Sequence, residues 1–354
     1  MIGGVTCHAF DYDPEYRNCP PFPARVGHPS MRLVEGKNPE EAATPFQKPT
    51  VVVVIGDGRS GSTVLDIVLG SHPNIEGVGA LRKLPRSGWV PDTDRRCACG
   101  SPIHACPFWI RVYERWTEAV GEEGLARYIE LQDRYERFRA WPRLLIEAHK
   151  PSPSFLAYAR MTSALYEAIQ GVSGTRVILD SSKKPVRAYA LLASRSLDVR
   201  VLHLVRDGRG VVWSRLKSLD RDVDAGIPKD WPATRPWRTT VHWTQVNLES
   251  EWVARRAGEA NASRVEYESF VERPGELLER ISSVVGEDLS GLVNGLANGQ
   301  EMHPGHRVGG NRMRLSGPVR LRPDMEWTTK LKPTDRRTFW RMAGWLARRY
   351  GYAR

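Results

Sequence analysis

The sequence predicts an α/β fold in which a parallel β-sheet is flanked by helices. The aliphatic run VVVVI at 51–55 is typical of a strand that is buried on both faces. A glycine-rich loop follows it directly, and residues 63–69 then carry apolar side chains at helical spacing. Short apolar segments continue to alternate with helical patterns through the rest of the chain. This alternation is the pattern of strands joined by crossover helices.

Composition sets the broad class of the protein. The chain has 354 residues, of which 41% are hydrophobic and 26% charged, so a disordered chain or a fibre is excluded. Its longest aliphatic run is far shorter than the roughly 18 residues that a bilayer crossing needs, and we predict no membrane span. The first thirty residues lack a readable export signal, so we expect a cytoplasmic location.

The net charge of +11 favours anionic partners. Basic residues are spread along the chain without a continuous run, which argues against a nucleic-acid-binding tail. We therefore expect a nucleotide, phosphate or sulfate ligand and no nucleic acid.

The elements are predicted in chain order as follows. Residues 1–49 are rich in proline and charge and form an irregular N-terminal arm, and 50–354 form one domain. Within it, 81–170 is a helical insertion that contains cysteines. Residues 219–238 hold three prolines and two tryptophans, which is typical of a lid loop. Further strands are predicted at 176–179, 199–205 and 264–267. Helices are predicted at 108–119, 125–140, 155–170, 184–195, 208–218, 240–257 and 275–285, and in a terminal segment that Thr334 would cap.

The segment GDGRSGST at 56–63 is the strongest functional signal. Glycines let backbone amides turn toward an anion, and the following helix N-terminus adds partial positive charge. A triphosphate-binding loop would read GxxxxGK[ST], but Ser62 stands at the lysine position and Arg59 supplies the charge inside the loop. This favours a single 5′-phosphate-like group without metal. The alternative is a strand-to-helix turn without a ligand.

A second motif, LVRDGRGVVWSRLKS, occupies 204–218 after a predicted strand. Arg206 would leave the strand and Ser214 would lie two turns into a helix, so both can reach one phosphate. The alternative is an ordinary turn with solvated arginines.

These two motifs, in this order, resemble the 5′-phosphosulfate loop and the 3′-phosphate site of sulfotransferases that use 3′-phosphoadenosine 5′-phosphosulfate (PAPS). The bacterial and tyrosylprotein branches look most similar. Three further segments are similar to segments of the same family: VILDSSKKP at 177–185, RVEYESFVERPGELL at 264–278 and HRVGGNRMR at 306–314. The resemblance implies a P-loop-like sulfotransferase fold. It also implies transfer of a sulfuryl group from PAPS to a hydroxyl or amine of a small-molecule or carbohydrate acceptor, with no metal required.

The resemblance also assigns site residues. Arg59 and Lys183 would stabilise charge on the transferred and leaving groups, although Lys183 could equally be a surface lysine. The 3′-phosphate would be bound by Arg206 and Ser214. The residues around the 5′ end would be Gly58, Arg59, Ser60, Gly61, Ser62 and Thr63. Those closing around the nucleotide would be Tyr267, Asn311 and Arg314.

The catalytic base is missing from its usual place. Relatives tend to carry a glutamate after a glycine in this region, whereas Ala80 follows Gly79 here. Glu76 is the nearest carboxylate and our candidate base, and His72 is the nearest imidazole. Glu76 could instead be a solvated turn residue and His72 a helix C-cap. We expect Ala80 to occupy the base position.

The segment CACGSPIHAC brings Cys97, Cys99, His104 and Cys106 within ten residues. Four such ligands could hold zinc. The Cys-x-Cys spacing is too short for the usual zinc motifs, and all the ligands would come from one loop. Similar stretches in bacterial members of the family favour a structural role, or a disulfide under oxidising conditions. We therefore predict no metal site.

Two other function classes remain open. A nucleoside-triphosphate-dependent phosphotransferase would explain the first loop, but it needs a lysine and a metal-binding acid that we cannot place. A nucleic-acid-binding module would explain the charge but not two structured anion sites. The acceptor and the oligomeric state are not indicated by the sequence.

Overall fold

Strand β1 (Thr50–Ile55), which contains the four consecutive valines, lies in the middle of a parallel sheet. The computed structural model describes residues 48–90, 95–218, 232–315 and 317–354. Within these residues five strands pair in the order β2-β3-β1-β4-β5, and every pairing is parallel. All of them belong to one compact unit, Lys48–Arg354. The predicted fold class is confirmed.

The other strands are β2 (Ile75–Gly79), β3 (Val177–Lys183), β4 (Asp198–Val205) and β5 (Ala262–Glu266). The helices that precede β4 are α1 (Ser62–Leu69), α2 (Pro107–Val120), α3 (Gly124–Tyr135), α4 (Trp141–Glu147), α5 (Pro153–Ser173) and α6 (Pro185–Ser194). Those that follow it are α7 (Gly208–Leu216), α8 (Pro236–Ala257), α9 (Tyr267–Glu272), α10 (Pro274–Val285), α11 (Ser290–Ala297), α12 (Glu326–Lys330) and α13 (Pro333–Arg349).

Successive valines of β1 point to opposite faces of the sheet and enter two different cores. Val51 and Val53 pack with side chains of the insertion helices α2, α3 and α5. Val52 and Val54 pack with α1, α9 and α10. A third cluster joins α7, α8 and α13 around Trp243. The run of valines is explained by burial on both faces.

The register brings three strand ends together. Val52 pairs with Leu179 on β3 and with Arg200 on β4, so the carboxyl ends of β1, β3 and β4 meet at one edge of the sheet. The chain leaves β1 at this edge. The two neighbours of β1, strands β3 and β4, lie on its opposite sides and are reached by separate crossover connections. Ligands of open α/β sheets bind at such an edge.

Several sequence predictions are corrected by the described residues. Strand β2 was not predicted, nor were α4, α9, α11 and α12. The last helix begins at Pro333 with Lys332 as its cap, so Thr334 is not the N-cap. Residues 236–238 of the predicted lid belong to α8, whereas 219–231 lie outside the described residues, as do residues 1–47 of the predicted arm. Among the described helices, none combines the length and the apolar character needed to cross a bilayer.

Candidate active site

The loop between β1 and α1 has a backbone that its sequence explains. Gly56 has φ +137°, and a Cβ atom there would lie 2.2 Å from the carbonyl oxygen of Leu204 on β4. Gly61 caps α1 with φ +91°. A Cβ atom at Gly61 would lie 2.3 Å from the Tyr267 ring. Arg59 also has a positive φ of 70°. The two glycines therefore allow a tight loop that packs against β4 and Tyr267.

Hydroxyl groups follow Arg59 at the start of α1. Ser60 is 1% exposed, and its Oγ has no hydrogen-bond partner among the described residues. Ser62 is buried and Thr63 is half-buried. A buried, unpaired hydroxyl is costly unless a ligand satisfies it. The loop thus presents a hydroxyl donor at a helix N-terminus, which is suited to an anion.

Positive charge is concentrated around this loop. Burial lowers the pKa of the Arg59 guanidinium, and the nearby cations Arg215 and Arg312 lower it further. Like charges held close together are stabilised by an anion between them. This electrostatic arrangement favours an anionic ligand.

Arg206 connects the second motif to the first. Its side chain leaves the end of β4 and is buried, and its Nη1 donates to the carbonyl oxygen of Arg59 over 3.0 Å. Its Nη2 donates to Asp324 Oδ2 at 3.0 Å. The Nε atom has no partner within the part of the chain that the structure describes. This hydrogen bond brings the two motifs of the sequence into direct contact.

Ser214 lies on α7, which follows Arg206. A Cβ atom at Gly210 would lie 3.1 Å from Arg206 Nε, so Gly210 makes room for the guanidinium. Ser214 is half-buried and lies one turn after Gly210 on the same face of the helix. This places Ser214 on the helix face that Gly210 turns toward Arg206.

Tyr267 begins α9 and packs against both motifs. The Arg206 guanidinium lies 4.6 Å above the centre of its ring, a cation–π contact. One edge of the ring lies so close to Gly61 that a Cβ atom there would clash with it. Tyr267 is therefore placed beside Arg206, although it was assigned only by resemblance.

The segment that contains 306–311 closes over α1 and β2. The backbone N–H of Asn311 donates to Thr63 Oγ1 over 3.0 Å. Arg314 is buried and donates to the carbonyl oxygens of Asn311 and Arg96. Burial and nearby Arg95 lower its pKa to about 10. Asn311 thus contacts the helix of the phosphate loop, whereas Arg314 is held on the side of the cysteine-containing loop.

Lys183 ends β3 in a left-handed conformation, with φ 67°. Its carbonyl oxygen accepts from the N–H of Gly56 over 3.4 Å, and its Nζ donates to the carbonyl oxygen of Ser181 at 3.0 Å. Lys183 therefore lies against the first residue of the phosphate loop and is half-buried, which argues against a freely solvated surface lysine.

The sequence did not reveal a carboxylate–imidazole pair in this loop. Asp57 is buried, and its Oδ1 lies 3.0 Å from Nδ1 of His242 on α8. Arg215 of α7 also donates to Asp57. Burial alone would raise the pKa of Asp57, but Arg215 and His242 hold it below its ordinary value. A charged Asp57 orients the imidazole, whose side chain is 34% exposed.

Comparison with known proteins identifies the family. The sequence profile of the sulfotransferase family matches residues 49–291, more than half of the chain. This chain belongs to the sulfotransferase family. A search of curated proteins found no significant match.

Solved structures of sulfotransferases are similar to this family member. The sulfotransferase domain of the olefin synthase from Synechococcus PCC 7002 is 18% identical, with a TM-score of 0.45, and the match covers 88% of this chain and 100% of that domain. The sulfotransferase STF9 from Mycobacterium avium is 15% identical, with a TM-score of 0.40, covering 75% of this chain and 70% of that one.

The two candidate base positions of this sulfotransferase-family chain differ in location. Ala80 is buried at the carboxyl end of β2, where its N–H donates to the carbonyl oxygen of Val308 over 2.6 Å. Glu76 is near the start of β2, paired with Ile178, and is not a solvated turn residue. Burial raises its pKa to about 7, with Arg307 lowering and Asp66 raising it. That pKa suits a base, but Glu76 lies away from the edge where the phosphate loop begins.

In this family member the histidine beside the three cysteines is not the one that the sequence suggests. Cys97, Cys99 and Cys106 are free thiols, and the imidazole beside them is that of His306. His104 is exposed and lies outside this group. Two hundred residues of sequence separate His306 from Cys106. Local spacing could not have found it.

Proposed function

We propose that this chain transfers a sulfuryl group from PAPS to a hydroxyl or amine of a small-molecule or carbohydrate acceptor and releases adenosine 3′,5′-bisphosphate. The contact that supports this most strongly is the hydrogen bond from Arg206 Nη1 to the Arg59 carbonyl oxygen, at 3.0 Å. It joins a 5′-phosphate-type loop to a second anion site. A nucleotide with anionic groups at both its 5′ and 3′ positions fits such a paired site.

Two unsatisfied groups support the donor-binding roles that the resemblance assigns. Ser60 Oγ and Arg206 Nε are buried donors that lack partners among the described residues. We assign Gly58, Ser60, Gly61, Ser62 and Thr63 to the 5′ end through their amides and hydroxyls. Arg206 and Ser214 would bind the 3′-phosphate. Tyr267 and Asn311 would close around the nucleotide, and Arg314 would support Asn311 by donating to its carbonyl oxygen.

Charge stabilisation is assigned to Arg59 and Lys183. In an in-line transfer the bond from sulfur to the bridging oxygen breaks while a bond from sulfur to the acceptor oxygen or nitrogen forms. Negative charge accumulates on the leaving phosphate. Fixed cations that are already in place stabilise such charge without reorganisation. Arg59 lies in the loop, and the backbone of Lys183 contacts the first residue of the loop, which supports the assignment of both residues to this role.

We assign proton acceptance to His242. In the tautomer whose Nδ1–H donates to Asp57 Oδ1, 3.0 Å away, the Nε2 lone pair is free to take the acceptor proton. Arg215 Nη1 lies 3.3 Å from the same Nδ1, and in this tautomer Arg215 donates to Asp57 and not to the imidazole. This arrangement would replace the glutamate that is absent at Ala80. Glu76 lacks this advantage because it lies near the start of its strand.

A kinase reaction is less well supported. The carboxylates nearest the loop and its neighbouring strand are already paired with arginines: Asp57 with Arg215, Asp66 with Arg307 and Asp180 with Arg187. Magnesium binds carboxylates that are free to coordinate it. With Ser62 at the lysine position, a triphosphate would lack both of its usual counter-charges.

A thermal-shift series tests the proposed function. Adenosine 3′,5′-bisphosphate without magnesium should raise the melting temperature, because a ligand that binds only the folded state stabilises it. Adenosine 5′-monophosphate at the same concentration should raise it much less. Stabilisation by ATP with magnesium but not by the bisphosphate would favour the kinase. Stabilisation only by polyanions, with a steep salt dependence, would favour nucleic-acid binding.

A further inference from the structure

Four side chains of types that bind metals lie close together where the cysteine-containing loop meets the 306–314 segment. Cys97, Cys99, Cys106 and His306 place one sulfur or nitrogen atom each within 4.8 Å of all the others. Cys97 and Cys106 are buried and Cys99 is exposed. We propose that these four residues bind one zinc ion in a closed structural site.

The distances match a tetrahedral site. Zinc lies about 2.3 Å from sulfur and about 2.0 Å from nitrogen, which makes tetrahedral edges about 3.8 Å between sulfurs and about 3.5 Å between sulfur and nitrogen. Here Cys99 Sγ and Cys106 Sγ are 3.7 Å apart. His306 Nδ1 is 3.3 Å from Cys106 Sγ and 3.8 Å from Cys97 Sγ. These three distances are the spacings of ligands around a common centre, and the other donor pairs lie within 4.8 Å.

Neighbouring contacts fix each ligand before metal binding. The backbone of Cys97 pairs with Ser101 and Gly100 in a tight turn, in which Gly100 has φ +92°. Cys106 occupies the N-cap position of α2, so the start of that helix fixes its backbone. The His306 ring stacks on Phe108 with ring centres 5.0 Å apart. The donor atoms are thus presented by two separate, ordered pieces of chain.

The position of His306 is set by the contacts of the two residues that follow it. The next residue, Arg307, is buried and paired with Asp66 of α1, and its carbonyl oxygen accepts from the Ala98 N–H at 3.1 Å. Val308 forms a bridge with Gly79. The fold therefore delivers an imidazole to three thiols from a distant segment. This removes the objection that all the ligands would come from one loop.

Zinc is the metal that suits this ligand set. Thiolate sulfur and imidazole nitrogen in a tetrahedral arrangement are typical of structural zinc. Four protein ligands leave no open position, so the ion would hold the cysteine-containing loop to the 306–314 segment and would take no part in sulfuryl transfer. The zinc site is independent of the proposed function.

Metal analysis of the full chain tests the proposal, after any polyhistidine tag is removed. We expect about one equivalent of zinc in the parent and in the control variant His104→Ala. His306→Ala and Cys99→Ser should lose at least half of the bound zinc. A competing chelator should remove the zinc that remains in these variants at least ten-fold faster than it removes zinc from the parent. Chelation should lower the melting temperature of the parent and of His104→Ala, but hardly that of His306→Ala.

A second measurement does not depend on how well the variants fold. The zinc-free parent loaded with Co²⁺ should develop the intense visible absorption of tetrahedral sulfur coordination. Less than half an equivalent of zinc in the parent overturns the proposal, as does one equivalent of iron in its place. A disulfide among Cys97, Cys99 and Cys106 in protein purified under reducing conditions, detected as a two-hydrogen mass loss, would also overturn it. Equal zinc in His306→Ala and the parent would exclude His306 as a ligand.

Discussion

Arg206 holds two of its nitrogens against protein oxygens and leaves Nε unsatisfied within the described residues. We expect Arg206→Ala to weaken binding of adenosine 3′,5′-bisphosphate about ten-fold to a hundred-fold, because a hydrogen bond to a charged group contributes about 1.5 to 3 kcal/mol. Ser214→Ala should have a smaller effect in the same direction. Calorimetry with the bisphosphate and with adenosine 5′-monophosphate provides the measurement.

The control for this prediction is Arg200→Ala, since Arg200 lies near the start of the same strand and pairs with Asp198. It should bind both nucleotides like the parent. Equal losses for the two nucleotides in Arg206→Ala would remove the 3′-phosphate assignment.

Arg59 lies near two other cations, Arg215 and Arg312, so an anion bound among them would relieve their mutual repulsion. We expect Arg59→Ala to lower turnover by about 10² to 10³ while weakening donor binding by a smaller factor, because its interaction should strengthen as the leaving phosphate gains charge. The donor dissociation constant and the turnover number are measured in the same preparations. A loss confined to binding would make Arg59 a ground-state clamp only.

The Asp57–His242 pair gives the third prediction. His242→Gln should reduce turnover with an alcohol acceptor by about 10² to 10⁴, the usual effect of losing a proton acceptor. Glu76→Gln should change it little. Adding Ala80→Glu to His242→Gln should restore activity at least ten-fold if Ala80 occupies the base position. Radiolabelled sulfate transfer at saturating donor measures all four proteins.

Collapse of activity in Glu76→Gln, with His242→Gln unaffected, would instead make Glu76 the base. The pH profile separates these cases from a structural defect, because loss of a base removes the acidic limb of the profile.

The sequence reveals site residues that stand inside a motif, but not those whose partners are distant in the sequence. Arg59 and Arg206 stand inside motifs whose spacing implies their neighbours. His242 is a single histidine in a long helix, and its partner Asp57 lies far away in the sequence. One signal for this pair was available in the sequence: Asp57 is an acidic residue inside an anion-binding loop. Such a carboxylate needs a nearby cation to offset its charge. His306 was missed for the same reason, and the roles assigned to all these residues stay predictions.

At the scale of elements, the packing of α8 on β4 includes a buried imidazole. His203 is 2% exposed, and its Nε2 lies 3.0 Å from Asn247 Oδ1. Burial lowers the pKa of His203 to about 4 from 6.5. The folded state then binds fewer protons than the unfolded state between these values, so stability is retained above pH 6.5 and falls on acidification toward pH 4.

We expect protonation of His203 to lower the free energy of unfolding by about 3 kcal/mol over that range. Each unit of pKa difference between the folded and unfolded states corresponds to about 1.4 kcal/mol. His203→Gln cannot titrate and should show a shallower decline, which urea unfolding at several pH values between 7 and 4.5 would measure. Parallel declines in the two proteins would contradict the prediction, since all other titrations are common to both.

Element prediction succeeded where burial and periodicity agreed, as for β1 and for most of the long helices. Strand β2 was missed because its sequence, IEGVG, has two glycines and little β propensity. The structure explains them: a Cβ atom at Gly77 would lie 2.4 Å from Arg307 Nη2, and one at Gly79 would lie 2.5 Å from the carbonyl oxygen of Val308. These glycines leave room for Arg307 and Val308, which are distant in the sequence. A prediction from local sequence cannot anticipate this tertiary contact.

At the scale of the whole molecule, one buried polar network ties the insertion helices to the sheet. Arg187 of α6 donates to Asp180 of β3 at 3.1 Å and also to Glu136, and both members of each pair are 0% exposed in their side chains. Tyr158 of α5 donates to Glu136 over 2.9 Å. The carboxylate that follows α3 is therefore shared by three parts of the fold.

Neutralising this carboxylate should destabilise the whole chain. We expect Glu136→Gln to lower the free energy of unfolding by about 3 to 5 kcal/mol, because it leaves the Arg187 charge buried with one partner fewer. Glu130→Gln, which removes an exposed pair with Arg127, should cost at most about 1 kcal/mol. Urea midpoints of the three proteins test this. Equal midpoints for the two variants would show that the network is dispensable.

The position of β1 has a consequence for biosynthesis. Thr50 pairs with Val177 on one side and with Asp198 on the other. Because the ribosome adds about 5 to 20 residues per second, β1 waits many seconds for each neighbour. During that time a run of four valines has both strand edges unpaired, and the face that α2, α3 and α5 later cover is exposed. Such a strand is a template for association between nascent chains. Slower elongation before residue 205 should therefore increase aggregation, whereas a chaperone that covers this strand should increase the yield of folded protein.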